Sequence, residues 1–408
     1  MSSSTVVVDC RAKMPPPRRI CFVQTNRSPS ACRREGAIAI KVGVQSQSIP
    51  PFELAVAQAV SNEQAGFDSI WYPDHLMGWF PRSLWTADRS SVVNLLPSPH
   101  IFLDPTILIG LVGQATERAL IGTAVTEPLR RPPAELARAF LTLSHATGGR
   151  AVLGIGAGER ENVEPYGLDY RHQVSKLDEA LHIIRLLWES KDPISFDGRF
   201  WKLRKAVIDL PPFADTYPPI WVGAHGPRML ELTGRHADGW LPSYPMDPAD
   251  YAERLQAVRK AAAEAGRDPE AIEAGFQIYV IVADDHATAH EILASPLAGA
   301  MSLVASSEMW ERTGRKHPLG EGFEGLRDYV PEWLSESEVA KAVSAYDPDI
   351  FHDLVPHGTV EEVAAGIERF VDAGLEHAVL VNLAPLAGLE YVQAAQEGST
   401  RLLKILKG

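Results

Sequence analysis

Short apolar runs that break off at polar or glycine-rich residues recur along this chain. Four are clear: Ser69-Ile-Trp-Tyr-Pro-Asp-His75, Ala119-Leu-Ile-Gly-Thr-Ala-Val-Thr-Glu127, Ala151-Val-Leu-Gly-Ile-Gly-Ala-Gly-Glu159 and Ile220-Trp-Val-Gly-Ala-His-Gly226. Apolar runs without alternation mark strands buried on both faces of a parallel sheet. The spacing between them is helical, so the expected order is strand 37–44, helix 51–65, strand 66–72, helix 104–116 and strand 119–125. A helix opened by Pro132-Pro133 and closed by Gly148-Gly149 comes next, then strand 151–155. Helix 172–188 precedes a polar excursion, 192–210, suited to a hairpin. Strand 219–223, helix 227–235, strand 237–242, helix 248–265 and strand 274–282 continue the alternation. Helix 359–373, strand 377–382 and a C-terminal helix 389–406 complete it.

Eight strands alternating with helices predict a (β/α)8 TIM barrel with loop insertions at about 76–103 and 284–357. A doubly wound open sheet is the structural alternative. In a barrel, the carboxyl ends of the strands carry the chemistry. The four run ends therefore point into one cavity. Residues 37–408 read as a single domain. Residues 1–36, rich in Pro, Ser and Arg, read as a disordered extension or as an over-long start with Met14 as another candidate.

Composition narrows the function. With 45% hydrophobic and 22% charged residues, a sizeable core needs no metal or disulfide. The net charge of −13 argues against nucleic acid as a partner. Cys10, Cys21 and Cys32 all lie in the extension and form a poor disulfide framework, which suggests a reducing compartment. No run of 18 apolar residues is present, so no membrane span is expected and the chain reads as cytoplasmic.

Several strand-end residues carry candidate chemistry. Asp74-His75 offers an imidazole able to exchange protons near neutrality, or simply a loop hydrogen-bonding device. Gly154, Gly156 and Gly158 let the backbone approach a ligand closely, or merely turn the chain. Glu159 stands where a dinucleotide fingerprint needs its third glycine, so the nicotinamide reading is weak. Ala224, His225 and Gly226 precede a helix, either as a phosphate cradle or as a plain turn. Glu127 reads as a surface ion pair with Arg130-Arg131. Met77 and Trp79 either wall a pocket or anchor the loop. His225 and His236 have no clear sequence partner, and no metal site is expected.

Taken together, residues 37–382 resemble the luciferase-like monooxygenase superfamily, barrels that bind flavins or deazaflavins. Asp74-His75 with Trp79, and Gly154-x-Gly-x-Gly-Glu-x-x-Asn162, are similar to its coenzyme F420-dependent branch. The likeness extends to mycobacterial phthiodiolone ketoreductases, which reduce a keto group on a wax-like lipid. It rests on Gly158-Glu-Arg-Glu-Asn-Val-Glu-Pro-Tyr-Gly167, Ala224-His-Gly-Pro-Arg-Met-Leu230 and Asp209-Leu-Pro-Pro212.

This resemblance implies an F420-dependent oxidoreductase, with an FMN-dependent monooxygenase as the alternative and a non-catalytic binding barrel as the rival of another class. It implies His75 and Glu159 as acid–base groups and Trp79 beside ring and substrate. Asp74 and Asn162 would contact the cofactor, and Ala124-Val125 would form a non-prolyl cis peptide behind the ring. The backbone of Gly156 and Gly158 would line the cofactor, and Ala224, His225 and Gly226 would take its phosphate. A small-molecule or lipid substrate is implied, and a homodimer is left open. Pro132-Pro133 departs from the Asn-Pro common in the family, which removes a side-chain contact there.

Overall fold

The computed structural model describes residues 40–243 and 245–408. The expected extension 1–36, with its three cysteines, lies outside the described residues, as does the start of the first expected strand. Eleven strands are seen among the described residues: β1 (Lys41–Gln45), β2 (Ser69–Tyr72), β3 (Leu120–Thr123), β4 (Ala151–Ile155), β5 (Ile194–Asp197), β6 (Lys202–Ala206), β7 (Ile220–Val222), β8 (Gly239–Trp240), β9 (Glu273–Val282), β10 (His357–Gly358) and β11 (His377–Asn382). β11, β1, β2, β3, β4, β7, β8 and β9 pair in parallel in that order, and β9 pairs back to β11. The sheet is therefore closed, a (β/α)8 barrel, and the open-sheet alternative falls. β5 and β6 form the expected antiparallel hairpin. β10 pairs with the last two residues of β9, an addition the sequence pattern does not announce.

Local chemistry fixes the ends of the helices. Gly66, at φ 109°, ends the helix Phe52–Ala65 in a left-handed cap. Asp104 accepts the Thr106 N–H at 2.8 Å and Pro105 opens the helix Pro105–Ala115. Thr359 and Glu362 form a reciprocal capping box on the helix Val360–Asp372.

Large side chains fill the barrel. Trp71 and Trp221 meet with ring centroids 5.1 Å apart, packed with Val152, Leu241 and Val379. Gly122 and Gly239 make room for them, since a Cβ there would fall 2.6 Å from Trp71 and 2.5 Å from Trp221. At the amino ends of the strands a polar chain closes the barrel. Trp71 Nε1 donates to Ser69 Oγ (2.7 Å), which meets His377 Nε2 (2.7 Å), while His377 Nδ1 meets Glu273 Oε1 (2.9 Å). Burial acts to raise the Glu273 pKa, but His377 and Lys41 outweigh it and bring it down to about 2. Such a network at this end reads as stability, with the opposite end left for chemistry.

The segments 76–103 and 284–357 share a second apolar core in which Leu84, Leu303 and Trp310 are buried. Tyr329 donates to the Trp79 carbonyl at 2.8 Å, and Glu332 accepts the Arg82 N–H at 2.9 Å and pairs with His100 at 3.0 Å. The two insertions are thus one cap. Among the described residues, no helix is long and apolar enough to cross a membrane.

Candidate active site

One cavity of about 1940 Å³ opens at the carboxyl ends of the strands, well above the roughly 300–1,000 Å³ of a site for a drug-sized ligand. His75, Trp79, Asp74, Ala124, Val125, Gly156, Gly158, Glu159, Asn162, His225 and Gly226 all line it. Ala224 lies behind this wall, fully buried, with its carbonyl accepting the Trp240 Nε1–H at 2.9 Å.

Asn162 organises the acid–base groups. Its Oδ1 accepts the N–H groups of Leu76 (2.7 Å) and Met77 (3.0 Å), both obligatory donors, so the orientation of the amide is settled. Its Nδ2 lies 3.0 Å from His75 Nδ1. The same Nδ1 lies 3.2 Å from the Met77 carbonyl, which only accepts, so its two contacts call for opposite tautomers; Nε2 faces Glu159 Oε2 at 3.7 Å. That same oxygen accepts from Trp79 Nε1 at 3.3 Å and Asn162 Nδ2 at 3.5 Å. Trp79 stands edge-on to His75 with centroids 5.6 Å apart, and Phe102 packs 5.4 Å from the imidazole. The geometry brings together an imidazole nitrogen, a carboxylate and an indole N–H around one point.

Glu161 is the group that the sequence reading missed. Its side chain is wholly buried, with Oε1 3.1 Å from Asn162 Nδ2 and 4.0 Å from His75 Nδ1. Oε2 is buried with no hydrogen-bond partner. Burial, then the charge of Glu159, pushes its pKa well above the usual carboxylate range. Its folded-state pKa is thus above its unfolded value. Its stabilising contribution is complete below the unfolded pKa, about 4.3, and declines as pH rises toward the native value. Glu161→Gln, neutral at every pH, should gain Tm relative to the parent as pH climbs from 4 to 8. A Tm difference flat across that range would assign the carboxyl no such titration.

Asp74 lines the cavity, but protein groups engage both of its carboxylate oxygens. Thr126 Oγ1 donates to Oδ2 at 2.6 Å, Arg131 Nε to Oδ2 at 2.9 Å, and Arg131 Nη2 to Oδ1 at 3.3 Å. Arg130 Nη2 adds a 2.6 Å bond to the Asp74 carbonyl. Glu127 does pair with Arg130, with 2.6 Å between Nε and Oε1, yet the pair is buried and not on the surface as expected. The turn at Gly158 packs against it, where a Cβ would fall 3.3 Å from Glu127 Cγ, and burial raises the Glu127 pKa despite Arg130.

The peptide Ala124–Val125 is cis, as the resemblance implied. Facing it, a Cβ on Gly156 would fall 2.8 Å from Val125 Cγ2, so only glycine leaves this wall open. Gly158 adopts φ 93°, a left-handed turn that delivers Glu159 to the cavity. On another wall, Gly226 caps the helix Pro227–His236 and its first residues line the cavity. Burial lowers the His225 pKa to about 4, with the Arg254 charge adding to the effect, so its imidazole is neutral. Arg254 Nη1 donates to the His225 carbonyl at 2.5 Å.

Residues 36–377 match the family described as luciferase-like monooxygenase. The chain belongs to that family. It is similar to the phthiodiolone/phenolphthiodiolone dimycocerosates ketoreductase of Mycobacterium sp. (strain JLS), with 40% identity over 78% of this chain and 84% of that relative. The F420-dependent hydroxymycolic acid dehydrogenase of Mycobacterium tuberculosis is 37% identical over 57% of this chain and 60% of that protein. An F420-dependent secondary alcohol dehydrogenase, solved in complex with an F420-acetone adduct, superposes with TM-score 0.70 at 24% identity. That match covers 90% of this chain and 99% of the other. This luciferase-like protein is an oxidoreductase.

The expectation of no metal site passed over one signal. His286 and His290 stand four apart on the helix His286–Leu293, a spacing that puts two imidazoles on one helical face.

Proposed function

We propose that this luciferase-like protein is an F420-dependent reductase of a hydrophobic keto compound. The observation that carries the reading is the convergence of His75 Nε2, Trp79 Nε1 and Asn162 Nδ2 on Glu159 Oε2. The cavity wall suits a flat ring. The Ala124–Val125 peptide and the bare Gly156 backbone face one another there, with the acid–base cluster beside them. The N-terminal turn of the helix Pro227–His236 suits the anionic end of the cofactor. The names of the ketoreductase and dehydrogenase relatives support the same assignment.

A bound reduced deazaflavin supplies a hydride. The oxygen of a ketone reduced in this way would need one proton to become the hydroxyl. This chain's residues govern the proton. His75 delivers it through Nε2, and Glu159, 3.7 Å away, restores it after transfer. Asp74 acts as a positioning residue, tying Arg130 and Arg131 to the strand ends. Trp85, Leu96, Phe102, Met301 and Met309, from the cap, line the cavity and suit an apolar substrate.

Parallel titrations with oxidised coenzyme F420 and with FMN test the cofactor. Saturable binding of F420, seen as a change in its absorbance, with weaker or no uptake of FMN is expected. Tight FMN uptake without F420 binding would move the protein to the oxygen-activating branch of the fold.

A further inference from the structure

Away from the cavity, three imidazoles meet where the cap segment 284–357 leaves and rejoins the barrel. His290 lies on the helix His286–Leu293, His352 on the helix Asp349–His352, and His357 on β10. One ring nitrogen from each lies within 4.8 Å of the others. The ring centroids are 5.4 Å apart for His290 and His352, 5.0 Å for His352 and His357, and 5.7 Å for His290 and His357.

The second nitrogens of two rings are already held. His357 Nδ1 lies 2.8 Å from the Val355 carbonyl, which can only accept, so Nδ1 carries the proton and Nε2 keeps its lone pair. That Nε2 is buried and has no hydrogen-bond partner. Buried polar atoms are nearly always paired, so this one calls for a reason. His352 Nδ1 faces Asp353 Oδ1 at 3.1 Å, leaving its Nε2 available. A carbonyl and a carboxylate orienting imidazoles from behind is the arrangement found around metal-bound histidines. The other titratable groups nearby are His286, 5.4 Å from His357 between centroids, and Glu362, 3.3 Å from His286 Nδ1. Burial, with the neighbouring imidazoles adding to it, lowers the His357 pKa, which favours the neutral form a metal requires.

We propose that His290, His352 and His357 form a binding site for a late first-row divalent cation such as zinc, which clamps the two ends of the cap. Imidazole sets of this kind favour zinc, nickel and copper over magnesium or calcium. Tetrahedral zinc needs its nitrogens about 3.3 Å from one another, as follows from bonds of about 2.0–2.1 Å. The side chain of His352 is 42% exposed and can turn inward to close the gap. The fourth position falls to water or His286. The site is independent of the cofactor assignment, since none of the three residues lines the cavity.

The test is a calorimetric titration of the metal-depleted full chain with zinc sulfate, followed by thermal melts. One saturable zinc per chain and a Tm that rises with zinc are expected in the parent. His290→Gln and His352→Gln should each weaken zinc at least tenfold and abolish the rise, while their circular dichroism without metal matches the parent. Absence of saturable binding in the parent would overturn the site. So would full zinc uptake in both variants, since it would place the metal elsewhere, for instance on Cys10, Cys21 and Cys32.

Discussion

His75→Ala is expected to lower kcat for ketone reduction by about 10²–10⁴, the usual contribution of a positioned proton donor, while the affinity for F420 stays within a few-fold of the parent. Asn162 bonds the backbone of the same loop through Leu76 and Met77 independently of the imidazole. Removing the ring therefore deletes the imidazole without releasing the loop. Phe102 and Trp79 lose an aromatic neighbour but keep their own anchors, since Tyr329 fixes the Trp79 backbone. Stopped-flow reduction with F420 held saturating separates the two effects. A variant that binds F420 normally and turns over like the parent would strip His75 of its role. Parallel loss of cofactor affinity would make the residue a binding group instead.

The fold was legible because a barrel core leaves a strong trace. Buried parallel strands cannot alternate, and β4 and β11 coincide with the expected runs residue for residue. β10 was not legible, since two residues have no period; only pairing with β9 makes them a strand. At the site, single residues next to glycine turns stood out, as Glu159 did. Glu161 did not, because Glu159, Glu161 and Glu164 look alike in a charged run. The 3₁₀ turn Arg160–Asn162 rotates one of them into the interior, and that rotation has no sequence mark. Burial of Glu127 was hidden for a similar reason: an acidic residue next to two arginines resembles a solvated pair until the Gly158 turn packs against it. In the cap, Leu84, Leu303 and Trp310 are buried and support it from within, whereas Trp85, Met301 and Met309 also reach the cavity.

Glu159→Gln should cost a further large factor, about 10²–10³ in kcat, and combining it with His75→Ala should cost little beyond the worse single variant. Trp79 Nε1 and Asn162 Nδ2 donate to Glu159 Oε2 and His75 Nε2 stands 3.7 Å from it; an amide can satisfy the two donors with its oxygen but cannot carry a proton. If His75 delivers the proton and Glu159 restores it, each is useless without the other, and their losses do not add. Independent roles would instead multiply, giving about 10⁴ or more in the double variant. Glu159→Gln also removes the negative charge that raises the Glu161 pKa, leaving burial as its main cause. Glu161 should then ionise at lower pH than in the parent, and the Tm gain of Glu161→Gln, which still begins near the unfolded pKa, should level off at lower pH and at a smaller value in the Glu159→Gln background. The kinetic cycle and the stability profile thus read the same cluster by separate routes. Multiplicative losses together with an unmoved Tm profile would show that the two glutamates and the histidine do not share a proton network.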